Sequence, residues 1–217
     1  MSSPSVPAER FAVHHVQLAR AGAAAIAALM ITFSPDHSAA VGLSVFSGFG
    51  ILTAIVFFLA AWLTYPAGRR WAPLSLGAVA VIAGMIAGIG PWRTSTTFFV
   101  LVIAWAFMSG AVELLSGLRE RRADAARRGQ ARDAVTVGIL TLVLGAAMLV
   151  IPAQYVLEYT IDEAGTFTLT GTTIAVGVFG GYAAIVAVYL AIAAFSPRPK
   201  AAGEADAAAP APEEGTA

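Results

Sequence analysis

The chain has 217 residues, of which 58% are hydrophobic and only 12% charged, and its mean hydropathy is +0.77. Soluble globular domains carry about 25% charged residues, so this composition indicates a membrane protein. The 13 basic and 13 acidic residues balance, which gives no support to nucleic-acid binding. The absence of cysteine excludes disulfides, thiol catalysis and cysteine-based metal sites.

Six apolar stretches are long enough to cross a bilayer as helices. About 30 Å of hydrocarbon takes roughly 20 helical residues, and unbroken apolar runs favour helices over a β-barrel. The predicted spans are residues 16–33, 41–64, 74–89, 96–118, 134–151 and 172–195. We therefore predict an all-α membrane domain over 16–195, a cytoplasmic segment over 1–15, and a disordered Ala-, Pro- and Glu-rich tail over 196–217.

An internal repeat divides these spans into pairs. LGAVAVIAGMIAGIGP (residues 76–91) and VGILTLVLGAAMLVIP (residues 137–152) each place a glycine, another glycine seven residues later and a proline seven further on. ARAGAAAIAALMITFSP (residues 19–35) fits the same frame with alanine in place of glycine. A second span follows each copy and carries a pair of small residues: Ser47-Gly48, Ser109-Gly110 or Gly180-Gly181. The sequence predicts three tandem helical hairpins, 16–64, 74–118 and 134–195.

Glycines are the predicted helix-packing residues, because lipid tails provide no hydrophobic drive for helix association and close backbone contact must replace it. The candidates recur at seven- or four-residue spacing or belong to the small-residue pairs: Gly48, Gly77, Gly84, Gly88, Gly110, Gly138, Gly145, Gly177 and Gly181. We favour ordinary packing within each hairpin. A channel or dimer seam is the alternative, which leaves a homo-oligomer open.

Charge predicts the orientation. Of the 13 basic residues only Arg93 falls in a predicted outer connection, so both termini are expected in the cytoplasm. The inner loop 119–133 holds six arginines, which act as a topology signal or as a contact for anionic lipid: Arg119, Arg121, Arg122, Arg127, Arg128 and Arg132. In the outer loop 153–171 we expect a small β-hairpin around residues 163–165. A signal peptide at the amino end is the alternative to a first span, but its removal would leave one hairpin arm without a partner.

Glu113 is the acidic residue that falls inside a predicted span. A charge near mid-bilayer costs on the order of 2.5 kcal/mol or more, which makes a membrane carboxylate a functional candidate and a potential proton acceptor. The alternative is structural. Glu113 lies near the inner end of its span and could snorkel towards Arg69, Arg70 or Arg119.

The remaining polar residues suggest no catalytic chemistry. Acidic residues and one histidine on the predicted outer side could change charge on acidification: Asp36, His37, Glu158, Asp162 and Glu163. The sequence contains no glycine-rich phosphate loop, metal-spaced histidine cluster or Ser/His/Asp set. We therefore predict a protein that is not an enzyme and uses no cofactor or metal.

The glycine-spaced segments and WAFMSGAVELLSGLRERR (residues 105–122), with its small residues, Gly-x-x-Glu and basic exit, resemble the HdeD-like acid-resistance membrane proteins. The resemblance covers residues 74–152 and extends loosely to the outer hairpins. It implies a six-span protein of the bacterial inner membrane with a role in acid stress. Two hypotheses follow: a non-catalytic protein that supports acid or envelope stress tolerance, and a small proton-coupled transporter or channel that uses Glu113.

Overall fold

The structure, a computed structural model, describes residues 13–123, 128–162 and 165–196. Within them lie six helices long and apolar enough to cross a membrane, which supports a multi-pass membrane protein. The helices are α1 Val13–Thr32, α2 Ala39–Leu63, α3 Trp71–Gly88, α4 Ser95–Ala123, α5 Arg128–Val150 and α6 Gly171–Phe195. Two strands, β1 Val156–Ile161 and β2 Gly165–Thr170, separate α5 from α6.

The predicted spans and the observed helices agree closely, and the largest differences lie on both sides of residues 124–127. There α4 runs on to Ala123 and α5 begins at Arg128, so both helices extend beyond their apolar spans. The short third span gains a turn because α3 begins at Trp71, with Pro73 in its first turn, where proline is tolerated. Pro35, Pro91 and Pro152 follow the ends of α1, α3 and α5, as expected of helix breakers.

The six helices form a closed ring. Each helix packs on its neighbours in the sequence, and α6 packs on α1. Side chains from the starts of α1, α3 and α5 and from the ends of α2, α4 and α6 line one cavity, so successive helices alternate in direction. We call this the basic end of the bundle, because Arg69, Arg70 and Arg119 lie there. The strands lie at the opposite end, the ribbon end.

The tightest helix contacts lie between the predicted hairpins rather than within them. The most extensive contacts join α2 with α3, α4 with α5, and α6 with α1. A Cβ built on Gly138 of α5 would lie only 2.7 Å from the Leu114 nitrogen and 3.0 Å from the Gly110 oxygen, both on α4. Gly84 of α3 meets the Ser47 oxygen of α2 in the same way, at 3.1 Å. The prediction of packing within each hairpin is therefore corrected.

Some of the predicted packing glycines do not contact a neighbouring helix. Around Gly48, Gly177 and Gly181 an added Cβ would meet no atom within 4 Å, and all three are exposed on the outside of the bundle. Packing within one chain is therefore corrected for these three glycines, which lie on outward helix faces, whereas a seam between two copies stays a prediction. Gly77 and Gly145 contact the side chains of Phe58 and Phe107, and Gly88 contacts only the Ser47 hydroxyl. The sequence analysis also missed close contacts of four glycines: Gly42 against Val176, Gly50 against Ala80, Gly117 against Ala131 and Gly180 against Ile31.

The expected β-hairpin is present. Strands β1 and β2 pair antiparallel from Val156↔Thr170 to Ile161↔Gly165, a two-stranded ribbon that leads directly into α6. Gly165 has a φ of 96°, a left-handed conformation that favours glycine. Thr170 caps α6 by accepting a hydrogen bond from the Thr173 backbone nitrogen at 3.1 Å. The expectations for residues 1–12, Arg127, Glu163 and the tail from residue 197 onward lie outside the described residues.

Replacing Gly138 with alanine should lower the thermal stability of the protein in detergent. The added methyl group meets the α4 backbone, and overpacking costs about 1–3 kcal/mol. That exceeds the gain of at most about 1 kcal/mol in helix propensity. Gly181→Ala is the matched control, because its methyl group meets no neighbour. Equal shifts in the unfolding temperatures of the two variants would contradict the assigned seam.

Candidate functional site

A cavity of about 240 Å³ lies among the helix ends at the basic end of the bundle. Trp71, Arg119 and Ala123 on its rim are exposed, so the cavity opens at this end. Its polar lining combines acidic, basic and neutral groups: Gln17, Arg20, Tyr65, Arg69, Glu113, Ser116, Arg119, Glu120, Gln130 and Asp133. The cavity is therefore a polar space, lined by both signs of charge, within an otherwise apolar bundle.

Glu113 of α4 forms an ion pair with Arg20 of α1 at the inner wall of this cavity. The carboxylate is buried, with 4% of the residue exposed, and 17% of the Arg20 side chain is exposed. The Arg20 guanidinium also lies over the Phe57 ring of α2, 4.6 Å from its centroid, a cation–π contact. Arg20 therefore links three helices at one point.

This pairing corrects the expected partners of Glu113. Arg20 lies within the predicted first span, about 10 Å from the start of α1 at 1.5 Å per residue. The proposed snorkelling partners do not pair with Glu113. Arg70 donates to the Tyr65 carbonyl at 3.0 Å, Arg119 lies over the Trp71 ring, and Arg69 lines the cavity.

A second polar cluster joins three helices beside the cavity. Asp133 of α5 accepts a hydrogen bond from the Gln17 amide of α1 at 2.6 Å and another from the Tyr189 hydroxyl of α6 at 3.2 Å. On the opposite wall, burial raises the pKa of the Tyr65 phenol, and nearby Glu120 adds to the rise. Tyr65 therefore remains a protonated donor at neutral pH.

A smaller pocket of about 30 Å³ lies deeper in the bundle, beyond the ion pair. Five residues line both spaces and form the neck between them: Arg20, Phe57, Leu76, Glu113 and Leu190. A water molecule needs roughly 10–15 Å³ of such space, so the deep pocket has room for one. The ion pair is thus part of the constriction between the two spaces.

Hydroxyl groups line the deep pocket. Thr141 of α5 and Tyr182 of α6 share a hydrogen bond of 2.8 Å, and Ser109 of α4 lies in the same wall. The Thr53 hydroxyl of α2 is buried and has no hydrogen-bond partner among the described residues. A buried polar group without a partner costs free energy, so Thr53 is a natural ligand for water or for a polar solute.

Aromatic side chains close the deep pocket towards the ribbon end. Phe46 and Phe49 of α2, Trp105 of α4 and Phe179 of α6 meet edge to face, with ring centroids 5.4 to 5.7 Å apart between helices. Phe46 and Phe179 are fully buried. The site therefore consists of two adjoining spaces, open at the basic end and closed by packed rings towards the ribbon end.

The predicted outer titratable residues do not form a site with one another. Asp36 accepts hydrogen bonds from the Ser38 nitrogen and hydroxyl, both at 2.8 Å, and so orders the start of α2. Glu158 and Asp162 are exposed on the ribbon. Among the described residues, no hydrogen bond or ion pair joins these groups to one another or to His37. Arg121, Arg122, Arg128 and Arg132 are exposed at the basic end, and there Arg119 stacks on Trp71.

The sequence analysis found Glu113 but missed its partner and the groups around it. Arg20 is the single basic residue inside a predicted span, and charged groups in a membrane usually pair, so the two lone charges were a usable signal. Thr53, Ser109 and Thr141 gave no such signal, because hydroxyl groups are common in membrane helices. Within the described residues no three His, Asp or Glu side chains lie close enough to hold a metal ion.

No protein-family model, curated protein or solved structure matches this chain.

Cysteine labelling can test the neck directly, since the natural chain has no cysteine. In detergent, Ser116→Cys in the open cavity should react with a small polar maleimide, whereas Ser109→Cys beyond the neck should react much more slowly. Thr166→Cys on the exposed ribbon provides the rate of an unobstructed thiol.

Adding Glu113→Gln removes the carboxylate charge and should accelerate labelling of Ser109→Cys severalfold. Labelling of Ser116→Cys in the same background should stay unchanged, which controls for loss of fold. Equal rates at the two serine positions in the otherwise unchanged protein would contradict the constriction.

Proposed function

We propose that this chain is a small proton-linked membrane transporter or channel, with the Arg20–Glu113 pair as the gate between its open cavity and its deep pocket. One observation carries the proposal: the buried Arg20–Glu113 ion pair lies at the neck that the two spaces share. The proposal assigns the chain no catalytic reaction and no cofactor.

The lining favours a small polar or zwitterionic solute. Arg20, Arg69 and Arg119 face Glu113, Glu120 and Asp133 across the cavity, so neither sign of charge dominates. A solute carrying both charges could satisfy both sets of groups, whereas a strongly charged ion would be repelled by one of them.

Protonation of Glu113 is the proposed trigger. The charged and titratable groups that face it are Arg20 from α1, Tyr182 from α6 and Tyr65 at the end of α2. A proton on the carboxylate removes one charge of the pair and weakens the link between α1 and α4. The Arg20 side chain is then held mainly by Phe57, and the neck can widen towards Thr53.

We place the basic end in the cytoplasm of a bacterial cell, by the positive-inside rule. The start of α1 at Val13 and the end of α6 at Phe195 both lie at that end, which supports cytoplasmic termini. We also propose that the three hairpins are structural repeats. Ser47, Ser109 and Gly180 hold the same place in the three second helices and are all buried. The exposed arginines near residues 124–127 are proposed contacts for anionic lipid.

Proton flux into pyranine-loaded proteoliposomes under a potassium diffusion potential tests the proposal. The unmodified protein should acidify the lumen faster than empty vesicles, and Glu113→Gln should reduce that rate at least tenfold, because the variant carries no titratable group at the neck. Glu158→Gln, an exposed carboxylate on the ribbon, is the matched control and should retain the flux. A wild-type rate in Glu113→Gln, or no flux in the unmodified protein, would overturn the proposal.

A role in acid tolerance is the second candidate, and it rests on the HdeD-like resemblance together with the six membrane-spanning helices that the resemblance implies. Deleting the gene should lower survival of the host after a shift to acidic medium, and plasmid-borne wild type should restore it. Survival curves that coincide with and without the gene would exclude a necessary role. A plasmid that carries Glu113→Gln links the two candidates. If both functions share one mechanism, this variant should not restore survival.

A further inference from the structure

The ribbon has one apolar face and one polar face. Its register places Leu157, Tyr159 and Ile161 of β1 beside Leu169 and Phe167 of β2 on one face. The other face carries Val156, Glu158 and Thr160 together with threonines of β2. In a two-stranded ribbon outside the membrane core, such a division requires a partner for the apolar face.

Within the described part of the chain, four of the five side chains on this face are exposed, and Leu169 is partly buried. Leu157, Tyr159, Ile161 and Phe167 are 42 to 50% exposed, although Tyr159 and Phe167 stack with their ring centroids 5.9 Å apart. The contacts of the ribbon with the helices are few and involve β2 and α6. The exposed side chains are aromatic and aliphatic, the types enriched where a protein meets the membrane interface.

The base of the ribbon is fixed at the end of the spans. The Gly171 nitrogen at the start of α6 donates to the Tyr155 carbonyl just before β1, at 2.8 Å. Val150, the last residue of α5, is 81% exposed, so the lipid-facing surface of the helices reaches the foot of the ribbon. The apolar face therefore begins where the apolar surface of the bundle ends.

We propose that the ribbon lies on the membrane surface at the ribbon end, with its apolar face in the lipid interface and its polar face in water. The bilayer is the surface that covers the apolar face, because the lipid-facing helices end at the foot of the ribbon. The bilayer requires no matching protein surface. The ribbon then covers lipid beside α5 and α6 instead of projecting into solution.

A second copy of the chain is a weaker occupant of this face. Two strands of six residues at about 3.3 Å per residue, some 10 Å wide together, present roughly 200 Å². Stable protein interfaces bury about 800 Å² on each partner. The apolar face alone is thus too small to hold a dimer together, whereas a tethered ribbon needs little affinity to rest on lipid.

Spin labels on single cysteines can decide between these surroundings, since no native cysteine has to be removed. The protein in lipid nanodiscs would carry the label at Phe167→Cys or Tyr159→Cys on the apolar face. The neighbours Thr168→Cys and Glu158→Cys carry it on the polar face. Collision rates with oxygen, which concentrates in lipid, and with a water-soluble nickel chelate are then compared by electron paramagnetic resonance.

The expected result is a ratio of oxygen to nickel accessibility that is severalfold higher at both apolar-face positions than at their neighbours. High nickel accessibility at all four positions would place the ribbon in solution and overturn the proposal. Low accessibility to both reagents at 159 and 167 would mean that protein covers the face, and would also overturn it. Two positions per face keep the test decisive if one substitution disturbs folding.

Discussion

Hydrocarbon solvates charges and hydroxyl groups poorly, so a polar side chain within these spans is stabilised when it finds a partner inside the ring of helices. That constraint brings Arg20 to Glu113 across two helices that are far apart in the sequence. It also turns Thr141 towards Tyr182, and Gln17 and Tyr189 towards Asp133. These polar groups lie along one path through the interior, and the outer surface of the helices is largely apolar. Both the cavity and the neck result from this placement of polar side chains in the interior.

Two kinds of packing hold the ring in place around that path. Backbone contacts at Gly84, Gly110 and Gly138 bring neighbouring helices close together and seal the bundle at its seams. At the centre, rings from α2, α4 and α6 fill the space near the ribbon end. Small residues thus determine how near the helices come, and large ones determine how far the interior stays open. Space stays open at the basic end, where the described residues form no comparable cluster of rings.

Composition and apolar length were sufficient to predict the six helices and most of their bounds, since these depend on local sequence alone. The glycine repeat also identified residues that pack closely, but not their neighbours. Spacing places Gly84 and Gly138 on a helix face without saying which helix that face meets, and the actual partners lie across the predicted hairpin boundaries. Glu113 was found because a carboxylate in an apolar run is rare. Thr53 and Ser109 could not be found, because their importance comes only from the pocket that they line.

The energetics of the ion pair bear on whether it serves packing alone. Taking two charges out of water costs several kcal/mol each, and well-packed apolar residues of similar volume are often at least as stabilising as a buried pair. The ring is already held by its glycine seams and its central rings, so Arg20 and Glu113 add little that leucine and methionine could not supply. Their particular property is that a single proton can cancel one charge of the pair. Under the proposed function, that property would make the width of the constriction between the open cavity and the hydroxyl-lined pocket depend on pH, which an apolar pair could not do.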